Sequence, residues 1–358
     1  MRRLLTGLLL VACTARGSSA QSLPAGTPRN LLVRVQTAAE DAPLGYAVVA
    51  LPAIAIERFT GASGAVVLLV PGAGPLRLIV KRLGFTPKDT IVMVGGAPSQ
   101  VVTIQLARVS FRLQEVRIVG WPECTRPGMR EADAEVRGIV DQLRQNAERY
   151  RLLTRTYPFT YLMERENGSR ASDGSYIAEQ RTTMMVSGTP SWNYRPGTLV
   201  AREGREWVMR IPSIGDLAED AFVDNHCFHV AGLELKEDVR LLRIDIVAAQ
   251  RLRGVDVNVV VWLDPTEYRL RHATFTLTRP PPQVRGLLHS TSSARYLELI
   301  PFVPVLELLT AENTAQIGRT STETLVFVER QQNKGVVYTG ARPDSLARDS
   351  LPAARPPR

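Results

Sequence analysis

Metal-capable side chains crowd together at one place in this chain, His226-Cys227-Phe228-His229. Imidazole and thiolate bind zinc and copper, and a tetrahedral site needs about four such ligands, usually from two close pairs. No second Cys/His pair at ligand spacing accompanies this one. On a strand, residues three apart point to opposite faces, so His226 and His229 would not share a site. The other histidines, His272 and His289, stand alone, and the sequence is read as having no metal and no cofactor. Nucleophiles are equally unsupported. No G-x-S-x-G elbow occurs. Ser213 and Asp216 are spaced as a capping box at the start of a short helix, and Gly72-Ala73-Gly74 lacks the lysine and helix of a phosphate loop. A hydrolase whose residues converge only in space stays open, because sequence adjacency does not address it.

The three cysteines carry a different chemistry. Cys13 lies in an N-terminal leader, which leaves Cys124 and Cys227 for the mature chain. An exported protein meets an oxidising compartment where bridges persist, and two thiols suit one disulfide. Cys124 sits in the turn-rich Trp121-Pro122-Glu123-Cys124-Thr125-Arg126-Pro127-Gly128, the kind of segment a staple would fix. The plain alternative is two unrelated buried cysteines. A last chemical feature is a set of aromatics, Tyr157, Phe159, Tyr161, Trp192, Tyr194, Trp207, Trp262 and Phe275. These either line a concave apolar face that accepts a lipid chain or glycan, or simply fill a core.

The leader itself is legible. Met1-Arg2-Arg3 is a charged start, Leu4 to Ala12 is a short apolar run, and Ser18-Ser19-Ala20 is a small-residue cleavage site before Gln21. A second route stays open, because Leu10-Val11-Ala12-Cys13 fits the pattern in which Cys13 is lipidated and becomes the N-terminus. No later run is long enough for a membrane helix. Of the +9 net charge, three units belong to Arg2, Arg3 and Arg16. The remaining basic residues are scattered without an aromatic-interleaved stripe, which argues against nucleic acid.

The elements that must position these residues are mostly strands. LLVRVQT (31–37), YAVVAL (46–51), IERFT (56–60), AVVLLV (65–70), LRLIVKRLGF (76–85), TIVMV (90–94) and VVTIQLARV (101–109) alternate with Gly/Pro/Ser turns, which predicts a seven-stranded β-sandwich. Over residues 131–154, Val136, Ile139, Val140, Leu143, Ala147 and Tyr150 mark one apolar face of a helix. From Tyr157 to Arg330 strands return, with turns expected at Asn167-Gly168 and Asp264-Pro265-Thr266-Glu267. The even phase of Tyr268 and Leu270 against the odd phase of Ala273, Phe275 and Leu277 predicts a β-bulge near His272.

Residues 29–120 resemble the carboxypeptidase regulatory-like domain, a transthyretin-like sandwich grouped with carbohydrate-binding-like folds. The resemblance rests on the opening strand, on Pro43-Leu44-Gly45-Tyr46-Ala47-Val48-Val49, and on Ser63-Gly64 before a Val/Leu strand. It extends to Lys81-Arg82-Leu83-Gly84-Phe85-Thr86-Pro87 and the closing Leu113-Gln114-Glu115-Val116-Arg117-Ile118. It implies a module for stability or contact, without peptidase activity: none of the four histidines is followed by Glu at the third position, so the zinc-peptidase signature is missing. The second half, a helix followed by a long antiparallel sheet, is similar to the curved half-barrels of periplasmic lipoprotein-handling proteins. The domain order expected is a signal peptide (1–20), the sandwich (29–120), a cysteine-containing linker and helix (121–155), a curved β-rich domain (156–330), and a disordered Pro/Arg/Ser-rich tail (331–358). The function expected is non-catalytic. The protein is read as exported to the periplasm or outer membrane, where it contacts a glycan, a lipid or an outer-membrane protein. A structural lipoprotein is the further alternative.

Overall fold

The computed structural model describes residues 27–111, 120–129, 134–204, 206–317 and 323–343. The leader with Cys13, the closing segment 113–118 and most of the expected tail lie outside the described residues.

Seven strands come first: β1 (Arg29–Thr37), β2 (Val48–Leu51), β3 (Ile56–Phe59), β4 (Ala65–Val70), β5 (Gly74–Lys81), β6 (Lys88–Val94) and β7 (Ser99–Leu106). They form two sheets, of order β4-β1-β7 and β3-β2-β5-β6. Alternate residues of each, Leu31, Val33 and Val35 on β1 and Leu76, Leu78 and Val80 on β5, share one apolar core. β1 and β7 run parallel.

The helical period delivers α1 (Ala134–Thr156). The remaining strands are β8 (Phe159–Arg170), β9 (Tyr176–Ser187), β10 (Val200–Glu203), β11 (Glu206–Met209), β12 (His226–Lys236), β13 (Val239–Ala248), β14 (Val257–Leu263), β15 (Leu270–Leu277), β16 (Leu287–Ile300), β17 (Val303–Gln316) and β18 (Thr324–Tyr338). β10 and β11 form a separate hairpin, and the other nine make one antiparallel sheet of order β12-β13-β14-β15-β16-β17-β18-β8-β9. This curved sheet matches the mainly β architecture expected for the second half. The final strand in sequence, β18, runs past the expected boundary at residue 330 and pairs along β8 as far as Tyr338↔Phe159.

Two turn expectations part ways. Asp264 to Glu267 is a turn: Tyr268 N–H donates to Asp264 O at 2.8 Å, and the Asp264 carboxylate accepts from the Thr266 and Glu267 amides. The bulge also lies beside His272, since Trp262 pairs with His272 and Leu263 with Leu270, leaving Arg271 over. Asn167-Gly168, by contrast, is not a turn. Both residues sit inside β8, and the chain reverses after it at Ala171–Ser175, where Gly174 has φ +82° and Asp173 caps the Ser175 amide. Gly168 is there because β9 has its own bulge at that point and brings the Ile177 carbonyl against the place a Cβ would occupy.

Helix α1 is the piece that joins the halves. Ile139, Val140, Leu143 and Ala147 pack into one core with inward residues of the central strands, Ile244 on β13 and Val259 and Val261 on β14 among them. Its other side meets the first half of the chain through polar groups. Gln142 Oε1 accepts from the Gly84 amide at 2.9 Å, Lys81 pairs with Glu148 at 2.8 Å, and Arg149 is 1% exposed with Nε donating to Phe302 O (2.7 Å) and Nη2 to Tyr46 O (2.5 Å). Tyr46 and Phe302 both hold positive φ, +58° and +67°. A left-handed residue from each half therefore turns its carbonyl toward the same guanidinium. Burial, and then repulsion from Arg82, push the Arg149 pKa down to about 9.

Candidate functional site

The His226 cluster resolves into structure. His226 is fully buried, its Nδ1 2.8 Å from Phe222 O and its Nε2 3.1 Å from Val257 O, with Asp256 at 3.5 Å. Its ring stacks on Phe222, and Tyr194 donates its hydroxyl to the same Asp256 at 2.7 Å. His229 turns to the other face beside Asp245, and burial pushes its pKa down. Cys227 is bonded to Cys124, with a Cα–Cα distance of 5.5 Å, as parity predicts. The bridge consumes the thiol that a metal site would need. Among the described residues no three His, Cys, Asp or Glu side chains gather as a metal cluster. Ser213 and Asp216 form the capping box: Ser213 N–H donates to Asp216 Oδ2 (2.7 Å), and the Asp216 amide returns to Ser213 Oγ (3.3 Å).

The aromatic set divides. Trp262 lies on the outer face of the sheet with Leu241 and Val260, donating to Glu234 at 2.6 Å. Trp207 is exposed on the β10–β11 hairpin. Tyr157 and Phe159 pack in the core beneath the end of α1. Tyr161 and Phe275 do meet, on the inner face of the sheet, in a half-open cavity of about 180 Å³. It is completed by Tyr150 from α1, Tyr296 from β16, Leu306 and Leu309 from β17, and a roof of Ile211 to Ile214. Alternation explains the wall: Ala294 and Tyr296 on β16 and Leu309 on β17 all face inward, Ala294 opposite Leu309. Ala294 leaves the room that a larger side chain would fill.

Tyr150 closes the helix end of the cavity. Its hydroxyl donates to Gly188 O at 2.5 Å and lies 3.1 Å from the Tyr161 hydroxyl. Burial raises the pKa of both phenols, so the lining stays neutral. Ile211 and Ser213 also line an open cleft of about 580 Å³, bordered by Met185, Val186 and Trp192 with the Arg210–Glu203 pair at 2.9 Å. Met185 is 56% exposed on the free edge strand β9. Sequence reading missed Tyr150, Tyr296, Leu309 and the Ile211–Ile214 roof as lining. The alternating Ser290, Ser292, Ala294, Tyr296 run on β16 was the available signal.

No family model and no curated protein matches this chain. Among solved structures, a putative outer membrane lipoprotein-sorting protein domain from Vibrio parahaemolyticus is similar at 12% identity and TM-score 0.30, covering 58% of this chain and 97% of that one. A DUF1329 family protein from Desulfovibrio piger is similar at 12% identity and TM-score 0.31, covering 58% and 96%. A LolA superfamily protein from Nitrosomonas europaea is similar at 14% identity and TM-score 0.27, also covering 58% and 96%. Likenesses this distant assign neither fold nor function. Among the described residues, no helix is long and apolar enough to cross a membrane.

Proposed function

We propose that this protein is an exported, non-catalytic envelope module that holds the apolar chain of a lipid-like ligand between helix α1 and the inner face of the nine-stranded sheet. The observation that carries the reading is the cavity beneath Tyr150, walled by Phe275, Tyr296, Leu306 and Leu309, whose roof residues Ile211 and Ser213 also border an open cleft. Ligand sites are concave, mostly apolar and largely preformed. This reading directs a chain longer than the cavity toward the cleft at Met185, Val186 and Trp192. Two sheets that share one core support reading the first half as the carboxypeptidase regulatory-like sandwich, a contact module fixed to the helix by Arg149. The leader reading places the protein in the periplasm or on the outer membrane. A lipid is favoured as the partner because the lining of the cavity is apolar and recessed.

The test is saturable binding of N-phenyl-1-naphthylamine, an apolar fluorescent probe, to the wild type and to Ala294→Leu. The variant fills the cavity from its wall, so binding should weaken by about tenfold or more while thermal stability is held or raised. Equal binding by both proteins, or no saturable binding by the wild type, would overturn the reading.

A further inference from the structure

The inner face of the sheet changes character one step beyond the cavity. Register places Phe275, Ser292, Ala311, Glu329 and Asn167 in one row across β15, β16, β17, β18 and β8. The next row outward carries Ser290, Asn313, Phe327 and Ser169. On the cavity side, Gln331 and Arg165 continue the row of Ala294 and Leu309. Since period-two alternation puts all of these on the face that holds Phe275 and Leu309, a polar strip abuts the apolar wall directly.

The polar groups of this strip are arranged as a neutral set. Arg165 and Glu329 are paired at 2.7 Å, and Gln331 donates to the same carboxylate at 2.6 Å. Their charges cancel, so the strip offers no net attraction to a charged head. Two buried atoms in it have no hydrogen-bond partner, the acceptor Asn313 Oδ1 and the donor Arg165 Nε. Ser290 and Ser292 lie on the same face and are each 6% exposed. Phe327 offers a ring that is 47% exposed at the end of the strip. Buried polar atoms left unpaired are costly, and a ligand that supplies both donors and acceptors removes that cost.

We propose that this strip is the head-group subsite of the cavity, and that the ligand is an amphiphile with an uncharged, polyhydroxylated head of the saccharide class. This rests on the chain-binding reading above. Hydroxyl groups act as both donor and acceptor, so one head that displaces the side chains covering Asn313 Oδ1 and Arg165 Nε can satisfy both, with a ring face on Phe327. An anionic head would have to compete with Glu329 for Arg165, and a cationic head with Arg165 for Glu329.

The experiment is calorimetric titration of the full protein with three ligands of equal chain length, each below its micelle concentration: octyl glucoside, octanoate and octyltrimethylammonium. Octyl glucoside should bind about tenfold more tightly than either charged ligand, and glucose without the chain should not compete. Asn313→Ala should remove that preference while octanoate affinity is unchanged. Glu329→Gln, which frees Arg165, should strengthen octanoate instead. Equal affinity for all three heads would overturn the subsite while leaving the chain reading intact. Failure of all three to bind would overturn both. Loss of octanoate binding in Asn313→Ala would show a merely structural role for the strip, and thermal unfolding of each variant identifies a folding defect.

Discussion

Breaking the Cys124–Cys227 bridge tests how the linker is held to the sheet. The two cysteines are 103 residues apart, and the loop they close contains α1, β8 to β11 and the Ile211–Ile214 roof of the cavity. In the chain-entropy model, closing a loop of this length restricts the unfolded chain by about 16 cal/mol/K, or about 4.7 kcal/mol at room temperature. Against this stand few local contacts: the two cysteines share an apolar cluster with Val247, Ala249 and Leu252, and two backbone bonds, Gln250 N–H to Cys124 O at 3.0 Å and Gly128 N–H to His226 O at 2.9 Å, run beside them. The expected loss on reduction is therefore dominated by the unfolded state. It should be about 4 to 5 kcal/mol, or roughly 6–8 °C in Tm for a cooperative unit of about 300 residues. The assay is urea unfolding of oxidised and dithiothreitol-reduced wild type, which differ only in this bridge, with Cys124→Ala/Cys227→Ala as control. The reduced protein should also show a larger m-value, because its unfolded chain is more expanded. A loss under about 1 kcal/mol, or a full loss with m unchanged, would refute the reasoning, the second by placing the effect in native packing.

Arg149→Met keeps most of the apolar stem but leaves the Phe302 and Tyr46 carbonyls without their donor. Removing a desolvated cation offsets part of that, so a net loss of about 2 kcal/mol is expected in chemical denaturation; no loss would show that water reaches both carbonyls. For His229, burial holds the folded pKa below its ordinary value of 6.5. The unfolded state then binds the extra proton first, so stability is full above about pH 6.5 and falls as pH drops through it. Replacing His229 by Gln should flatten the stability curve between about pH 7.5 and about pH 5, and an unchanged slope would exclude this residue as its source.

How much of this could be read from the chain depends on whether the signal is local. Strand and helix periods are local, so the seven first strands, the apolar face from Ile139 to Ala147 and the bulge beside His272 were all predictable from residue phase. Parity and compartment are global but need no geometry, and they paired Cys124 with Cys227 correctly. Asn167-Gly168 misled because the same dipeptide that favours a tight turn also tolerates close backbone approach. Nothing within β8 itself reveals that the bulge of β9 lies over Gly168. The aromatic set misled for a related reason. Trp262 and Phe275 both read as sheet aromatics, but they sit on adjacent strands with opposite phase, and only register decides which one faces α1. The cavity depends on register more strongly still. Its wall draws Phe275, Ala294 and Leu309 from three strands, and its emptiness comes from one small residue, Ala294, placed opposite Leu309. A run of Ser, Ser, Ala and Tyr at alternate positions looks like a weak strand in isolation. Placed between Phe275 and Leu309, it becomes a graded surface, polar at Ser290 and Ser292 and apolar at Ala294 and Tyr296, and that gradient is what an amphiphile would read.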